Sequence, residues 1–159
     1  MASCEAAIRR AGPGDVPALT ALWRRSVEAT HRFLGRADIE ALRPEVESAL
    51  GQLEVWVFET DGAPAGFMAL GGDMVEALFV DPASMGAGVG TKLLAHARRI
   101  RGDEATLRVD VNEDNPDALG FYLTRGFAQT GRSELDSAGR PWPLIHLEQG
   151  PLSEPGSRW

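Results

Sequence analysis

Three glycines in five residues stand directly before a run that has the apolar spacing of a helix. The stretch DPASMGAGVGTKLLAHA places these glycines at 86, 88 and 90, and the apolar residues that follow recur every three or four positions. Glycine leaves the backbone bare at the start of a helix, where the first amides point outward and the helix dipole favours an anion. The pattern therefore predicts an anion-binding loop.

Two nucleotide-binding motifs fit this loop poorly. A dinucleotide fingerprint has Gly-x-Gly-x-x-Gly after the first strand of a domain, whereas the spacing here is Gly-x-Gly-x-Gly after the fourth predicted strand. A Walker loop ends in Gly-Lys-Ser/Thr, but this chain has Gly90, Thr91 and Lys92 in that order. From spacing alone, the remaining alternative is a glycine-rich turn without a ligand.

The periodicity of the rest of the chain predicts an α/β fold around the loop. The predicted strands lie at 6–11, 53–60, 65–72, 74–80, 105–111, 127–135 and 143–148. Asp15 and Asp38 are expected to cap two helices after the first strand, a third helix follows the loop, and a fourth covers 115–126. The order β α α β β β α β α β β corresponds to a mixed central sheet with helices on both faces. Strands 74–80 and 105–111 are expected to be parallel neighbours.

Composition limits the classes of partner and compartment. The length fits one domain, which we place at residues 1–149, followed by a flexible tail over 150–159. The net charge of −7 argues against nucleic acid as the main partner and favours cationic ones. The single cysteine, Cys4, excludes an intramolecular disulfide. Because we find no apolar stretch of about 18 residues and no secretory signal, we expect a cytoplasmic protein that does not enter the membrane.

Two blocks of the sequence resemble the GCN5-related N-acetyltransferase (GNAT) family. LFVDPASMGAGVGTKLLAHA is similar to the acetyl-CoA loop of that family, and VNEDNPDALGFYLTRGFAQTGR matches its downstream block. The order of the strands fits the GNAT fold over about residues 5–149. SVEATHRFL, at 26–34, further resembles a subfamily of small bacterial acetyltransferases, some of them assigned to peptidyl-lysine.

The resemblance implies a site for acetyl-CoA that needs no metal. The loop amides would hold the pyrophosphate, the backbone of Phe79 and Val80 would bind pantetheine as an added strand, and Asn112 would bind it from the other side. Asn115 could reach the cofactor or cap a helix. Met85 replaces the usual Arg or Gln of the family, so the backbone must do more of the binding. The predicted cofactor residues are Phe79, Val80, Met85, Gly86, Ala87, Gly88, Val89, Gly90, Thr91, Asn112 and Asn115.

The resemblance also implies roles in acetyl transfer. Tyr122, the only tyrosine, stands where the family carries its general acid for the departing thiolate. Glu76 lies on strand 74–80, two residues after the usual position of an acid, and is expected to act as a base or to be a solvated charge at the strand edge. His31 would overhang the acceptor site or serve a structural role. We expect His96 at the surface of its helix and His146 to be scaffold.

The expected function is N-acetyl transfer from acetyl-CoA to a primary amine by direct attack in a ternary complex. The acceptor is left open among a protein lysine, a polyamine and an aminoglycoside-like amine, since the negative charge suits all three. The alternative is an acyl-CoA-binding sensor module without transferase activity. The sequence does not decide whether the protein forms a homodimer.

Overall fold

A computed structural model of the chain describes residues 6–31 and 33–152. The elements within these residues follow the predicted order β α α β β β α β α β β, which is confirmed. They are β1 (Ala6–Arg10), α1 (Val16–Thr30), α2 (Arg36–Gln52), β2 (Glu54–Thr60), β3 (Ala63–Gly71), β4 (Met74–Val80), α3 (Val89–Arg101), β5 (Leu107–Asn112), α4 (Pro116–Leu123), β6 (Ala128–Ser133) and β7 (Leu144–Gln149). Cys4 and residues 153–159 of the predicted tail lie outside the described residues.

The strands of the described residues form one mixed sheet of seven, in the order β1-β2-β3-β4-β5-β7-β6. β4 and β5 are parallel, with Met74 opposite Arg108 and Val75 opposite Val109, as predicted. β7 lies between β5 and β6 and runs antiparallel to both. The last strand of the described residues is therefore an inner strand, and β6 is at an edge of the sheet.

The chain divides into two compact units. The first comprises Met1–Gly71 and Glu76–Ala97, and the second comprises Gly72–Val75 and Arg98–Trp159. The single domain over 1–149 stays a prediction.

The first unit is built on a core between its helices and strands. Leu19, Leu22, Trp23 and Val27 on α1 recur at helical spacing and are buried against Ile39 and Leu50 of α2. The same core includes residues 55 and 57 of β2 and residues 67 and 69 of β3. Since neighbouring strand residues point to opposite faces, residue 66 of β3 faces away from α1 and α2. A Cβ at Gly66 would meet Val89 and Leu93 of α3, so helices pack on both faces of β3.

Asp15 occupies the N-cap position of α1 as predicted but does not cap the helix through its side chain, and the cap predicted at Asp38 is wrong. α1 begins at Val16 after Asp15, but no hydrogen bond from the Asp15 side chain caps it. The Asp15 carboxylate instead accepts the amide of Gly12 at 2.7 Å and pairs with Arg9 at 2.8 Å. Asp38 lies inside the first turn of α2 and accepts the amide of Gly35, which is the true N-cap. Both carboxylates therefore satisfy amides that precede them in the chain.

The second unit has a core of alternating strand residues and one buried arginine. Leu107, Val109 and Val111 of β5 are buried, and Arg108 and Asp110 between them are exposed. Arg98, at the end of α3, is only 7% exposed. Its guanidinium donates to the backbone carbonyls of Gly102, Ala105 and Gly150. Arg98 thus fixes the chain after α3.

Candidate active site

The glycines of the loop are explained by backbone conformation. After β4, Pro82–Ser84 form a 3₁₀ turn and α3 begins at Val89. Gly86 has a φ of +86° and Gly88 a φ of +83°, in the left-handed region that costs other residues about 1–2 kcal/mol. A Cβ at either position would meet nothing within 4 Å. The loop therefore selects glycine for its dihedral angles and keeps its outer side open.

The first turn of α3 presents its amides at this open side. The first backbone bond into the helix runs from Lys92 N to Gly88 O at 3.0 Å, so the amides of Val89 and Gly90 precede the helical ladder. The positive end of the helix dipole lies at the same place. The amide of Ala87 differs, because it donates to Ser84 O at 3.2 Å and holds the turn together. The loop thus has the donors and the polarity that a phosphate needs.

Close packing fixes the inner side of the loop. The Val89 side chain is buried, and a Cβ at Gly66 would lie 2.7 Å from Val89 Cγ1 and 3.0 Å from the carbonyl oxygen of Phe79. At the start of the loop, Asp81 pairs with Arg25 of α1 at 2.7 Å, and this hydrogen bond holds the Asp81 pKa below its usual range. Met85 is different, with 43% of its surface exposed. The loop is therefore anchored from beneath, while the side chain at 85 lies on the surface.

Backbone alternation distinguishes Phe79 from Val80. The amide of Asp81 donates to Ala65 O of β3 at 2.8 Å. Because hydrogen-bonding groups alternate along a strand, those of Phe79 also point toward β3, whereas those of Val80 point away from it. Only Val80 of the predicted pair therefore directs its amide and carbonyl away from β3. Phe79 contributes its ring, which lies 5.7 Å from that of Phe67.

His31, directly after α1, packs on the same aromatic group. Its ring centroid is 6.1 Å from that of Phe79 and 5.5 Å from that of Phe33. Its Nδ1 lies 2.8 Å from Thr30 Oγ1, which itself donates to Ser26 O at 2.8 Å. Since the threonine hydroxyl has one proton, Nδ1 must be the donor and the lone pair lies on Nε2. Burial lowers the pKa of His31 below its usual value, which favours this neutral form at pH 7.

A cavity of about 270 Å³ lies in the first unit among α1, α2, β3 and β4. Its walls are largely apolar and include Trp23, Phe67 and Phe79, and two carboxylates, Glu45 and Glu76, are also part of the lining. Glu76 is exposed, and its carboxylate lies over Gly71, whose Cβ would be 2.9 Å from Oε2. This exposure agrees with the solvated charge considered for Glu76 more than with an enclosed base. The arrangement suits an apolar chain that ends in a positive charge.

Tyr122 lies on α4 of the second unit and is 6% exposed. Its ring makes edge contacts with Phe121 at 5.0 Å and Phe127 at 5.2 Å. Burial raises the pKa of its hydroxyl well above the usual value. The phenol therefore stays protonated at neutral pH, and it is suited to donating a hydrogen bond.

The two predicted asparagines of the second unit both have local structural bonds. Asn112 Oδ1 accepts the amide of Asp114 at 2.9 Å, which forms a turn after β5. Asn115 is buried, and its Oδ1 accepts the amide of Ala118 at 3.3 Å and caps α4. The capping role considered for Asn115 is thus present.

Sequence reasoning missed one residue of the cavity and the environment of one histidine. Glu45 is one of several acids on α2, and nothing in its spacing shows that it lines a cavity. His96, expected at the surface, is half-buried with its ring 4.5 Å from that of Trp56.

Among residues 6–31 and 33–152, no group of three His, Cys, Asp or Glu side chains is placed to hold a metal ion. No helix in those ranges has both the length and the apolar character of a membrane span.

Comparison with known proteins gives the family. Residues 22–142 match the model of the acetyltransferase (GNAT) domain. The chain belongs to the GNAT family. A peptidyl-lysine N-acetyltransferase, YjaB of Salmonella typhimurium, is 44% identical over 141 residues, which cover 88% of this chain and 95% of that protein. These relationships make the chain an acetyltransferase and confirm the predicted family.

Solved structures agree with this assignment. The solution structure of apo YjaB from Escherichia coli is 42% identical, covers 91% of this chain and 97% of its own, and superposes with a TM-score of 0.82. The PaiA N-acetyltransferase of Thermoplasma acidophilum, solved with coenzyme A, superposes with a TM-score of 0.74 over 92% of this chain and 99% of its own. At 18% identity, this second likeness concerns the fold alone.

Proposed function

We propose that this GNAT acetyltransferase transfers acetyl from acetyl-CoA to lysine side chains of proteins, by direct attack of the amine in a ternary complex. The observation that carries the proposal is the similarity, over nearly the whole chain, to a relative named for peptidyl-lysine acetylation. The geometry of the first unit supports it at both substrates. A donor-rich loop suits the cofactor, and a carboxylate-lined cavity suits the acceptor.

The loop residues bind the pyrophosphate of acetyl-CoA. The amides at 88–91 and the dipole of α3 supply the attraction, and the open outer side leaves room for the phosphates. No metal is required, because backbone donors at a helix start are sufficient for such an anion. Val80 bonds the amide-bearing pantetheine through its backbone, and Asn112 adds a polar contact to the cofactor. The thioester that acetyl-CoA supplies is the activated acyl group.

The cavity of the first unit accepts the lysine side chain. Its apolar walls cover the methylene groups, and Glu45 and Glu76 attract the ammonium. A polyamine or an aminoglycoside would place further charges among apolar side chains such as Phe67 and Trp23, at a cost in desolvation. We therefore assign the acceptor to protein lysine among the three amines.

His31 accepts a proton from the attacking amine, and Tyr122 donates a hydrogen bond to the departing thiolate. The lysine ammonium first releases one proton to water. As the neutral amine nitrogen then bonds to the thioester carbon, it becomes acidic, and Nε2 of neutral His31 accepts a second proton. The C–S bond then breaks, and the thiolate accepts a hydrogen bond from the Tyr122 hydroxyl. Because the pKa of this phenol is raised, hydrogen bonding contributes more than full proton transfer from Tyr122. Water protonates the thiolate to give free coenzyme A.

An acceptor panel tests the proposal. The protein and acetyl-CoA are mixed with a blocked peptide that contains one lysine, the same peptide with norleucine in its place, spermidine, and kanamycin, and acetylated products are measured by mass. We expect product from the lysine peptide and none from the norleucine peptide. Binding of acetyl-CoA without transfer to any amine would support the sensor alternative instead.

A pair of variants tests the cavity. Glu45→Gln removes a carboxylate of the lining, and we expect it to raise KM for the lysine peptide about fivefold or more. Glu47→Gln is the matched control, since Glu47 lies on the same helix and pairs with Arg43 at 3.2 Å. Equal KM values for the two variants would place the acceptor outside this cavity.

A further inference from the structure

Three polar side chains of the second unit form a continuous hydrogen-bonded chain across β5, β7 and β6. Asp110 Oδ1 lies 2.6 Å from His146 Nδ1, and His146 Nε2 lies 2.6 Å from Ser133 Oγ. The strand pairing explains the arrangement. Asp110 is directly opposite His146 between β5 and β7, and Ser133 is opposite Leu144, two residues before His146. The three side chains therefore share one face of the sheet.

The order of these groups determines where the protons lie. A carboxylate can only accept at Nδ1, so Asp110 fixes the proton of neutral His146 on Nδ1. Nε2 then has the lone pair and accepts the Ser133 hydroxyl proton. This is the connectivity that activates serine in Ser-His-Asp enzymes, where the imidazole takes the proton and the carboxylate stabilises the resulting cation.

Reagents can reach this group. About one third of the side-chain surface of both Asp110 and His146 is exposed, and Ser133 is half-buried. The neighbouring ion pair on the same face, Arg108 with Glu148 at 3.5 Å, involves different atoms. None of these residues has a role in the amine acetylation proposed above, so the group is available for separate chemistry.

We propose that Ser133 is a nucleophile that accepts acyl groups from activated esters and thioesters. Ser133 Oγ forms a bond to the acyl carbon while the bond from that carbon to the leaving oxygen or sulfur breaks. The hydroxyl proton passes to His146 Nε2 and then to the leaving alkoxide or thiolate. The product is an O-acyl serine at position 133, and no oxidant, reductant or metal takes part.

The test uses the whole chain with p-nitrophenyl acetate, which requires neither coenzyme A nor an amine acceptor. The result is therefore independent of the proposed lysine acetylation. After a short reaction at pH 8, acetyl groups are located by peptide mapping and mass spectrometry. Ser137, which is exposed in the turn between β6 and β7, is the internal control within the same molecule. We expect Ser133 to be acetylated at least tenfold faster than Ser137.

Two variants test the roles of His146 and Asp110 in the activation of Ser133. His146→Asn removes the base, and Asp110→Asn removes the carboxylate that sets its tautomer, so each should slow acetylation of Ser133 at least tenfold without changing that of Ser137. Circular dichroism and thermal unfolding verify that each variant is folded. Acetylation of Ser133 at the rate of Ser137 in the parent chain overturns the proposal without any variant. An unchanged rate of Ser133 acetylation in the folded His146→Asn variant also overturns the proposal.

Discussion

Gly88→Asp tests the proposed phosphate loop most directly. The substitution places a carboxylate on the open side of the loop, where the phosphates of coenzyme A would lie. At a separation of about 5 Å, a unit negative charge is repelled by about 0.8 kcal/mol at the dielectric constant of water and by about 3 kcal/mol at an effective value of 20. Two phosphates double these energies. We therefore expect coenzyme A to bind at least about 15-fold more weakly.

The same substitution has a folding cost that must be separated from the binding effect. Position 88 has a positive φ, so any side chain there is strained by about 1–2 kcal/mol, and aspartate by less than most. In a chain of this length each kcal/mol lowers Tm by about 2–4 °C. Gly139 provides a matched control, because its φ is also +83° and a Cβ there would also meet nothing within 4 Å. Gly139→Asp has the same backbone cost in the turn between β6 and β7.

Calorimetric titration with coenzyme A and thermal unfolding of the two variants separate the effects. The Tm of both variants should fall by similar amounts, and only Gly88→Asp should bind coenzyme A more weakly. If Gly88→Asp bound coenzyme A within threefold of the parent, the loop would not be the phosphate site. If both variants lost the same affinity for coenzyme A, the weaker binding would result from destabilisation of the fold and not from repulsion of the phosphates.

Three further predictions concern single side chains. Met85→Arg should tighten coenzyme A binding by about 0.5–1.5 kcal/mol, because Met85 is exposed and the arginine adds a donor without disturbing packing; titration measures this, and unchanged or weaker binding contradicts it. Tyr122→Phe keeps the ring contacts, so cofactor affinity should hold within about threefold while the single-turnover rate of acetyl transfer falls about 10²-fold. An unchanged rate would remove Tyr122 from the chemistry. The pKa of His31 is lower in the folded chain than in the unfolded chain, where it is about 6.5. The contribution of His31 to the free energy of unfolding is therefore full above pH 6.5, and it is lost as the pH falls toward the folded pKa. Urea unfolding from pH 7.5 to 5.5 should therefore show a smaller loss of stability in His31→Gln than in the parent.

Local patterns predicted the elements well where neighbouring residues decide the structure. The bounds of β4 at 74 and 80 are as predicted, because Asp81 and Pro82 end the strand. The glycine loop was recognisable because its conformation and its helix are encoded within a dozen residues. Asp38 was misplaced because a carboxylate at N-cap and one at the third helical position look alike in sequence, whereas Asp15 is the N-cap residue of α1 but bonds elsewhere. Both satisfy an amide, but the chain positions of those amides differ.

Features that depend on strand order and tertiary packing could not be read in this way. Asp110 and His146 are opposite one another only because β7 inserts between β5 and β6, and no spacing along the chain encodes that insertion. Glu45 joins the cavity because α2 packs near β4. The opposite orientation of the backbone groups of Phe79 and Val80 requires the register with β3. For Tyr122, the family resemblance supplied the proposed role, and the structure adds the burial that sets its protonation.

The tight contact at Gly66 has a consequence for how this enzyme can vary. On its outer side, the loop proposed to bind the cofactor has room for added side chains, and at 86 and 88 their cost is the backbone strain of a positive φ. On its inner side even one methyl group at position 66 would have to displace either Val89 Cγ1 or the Phe79 carbonyl. Laboratory evolution for altered coenzyme A affinity should therefore change position 85 more readily than 86 and 88, where φ is positive, while position 66 stays glycine. The loop therefore tolerates added side-chain atoms on its outer side, where space is open, and not on its inner side, where a Cβ at position 66 would lie 2.7 Å from Val89 Cγ1.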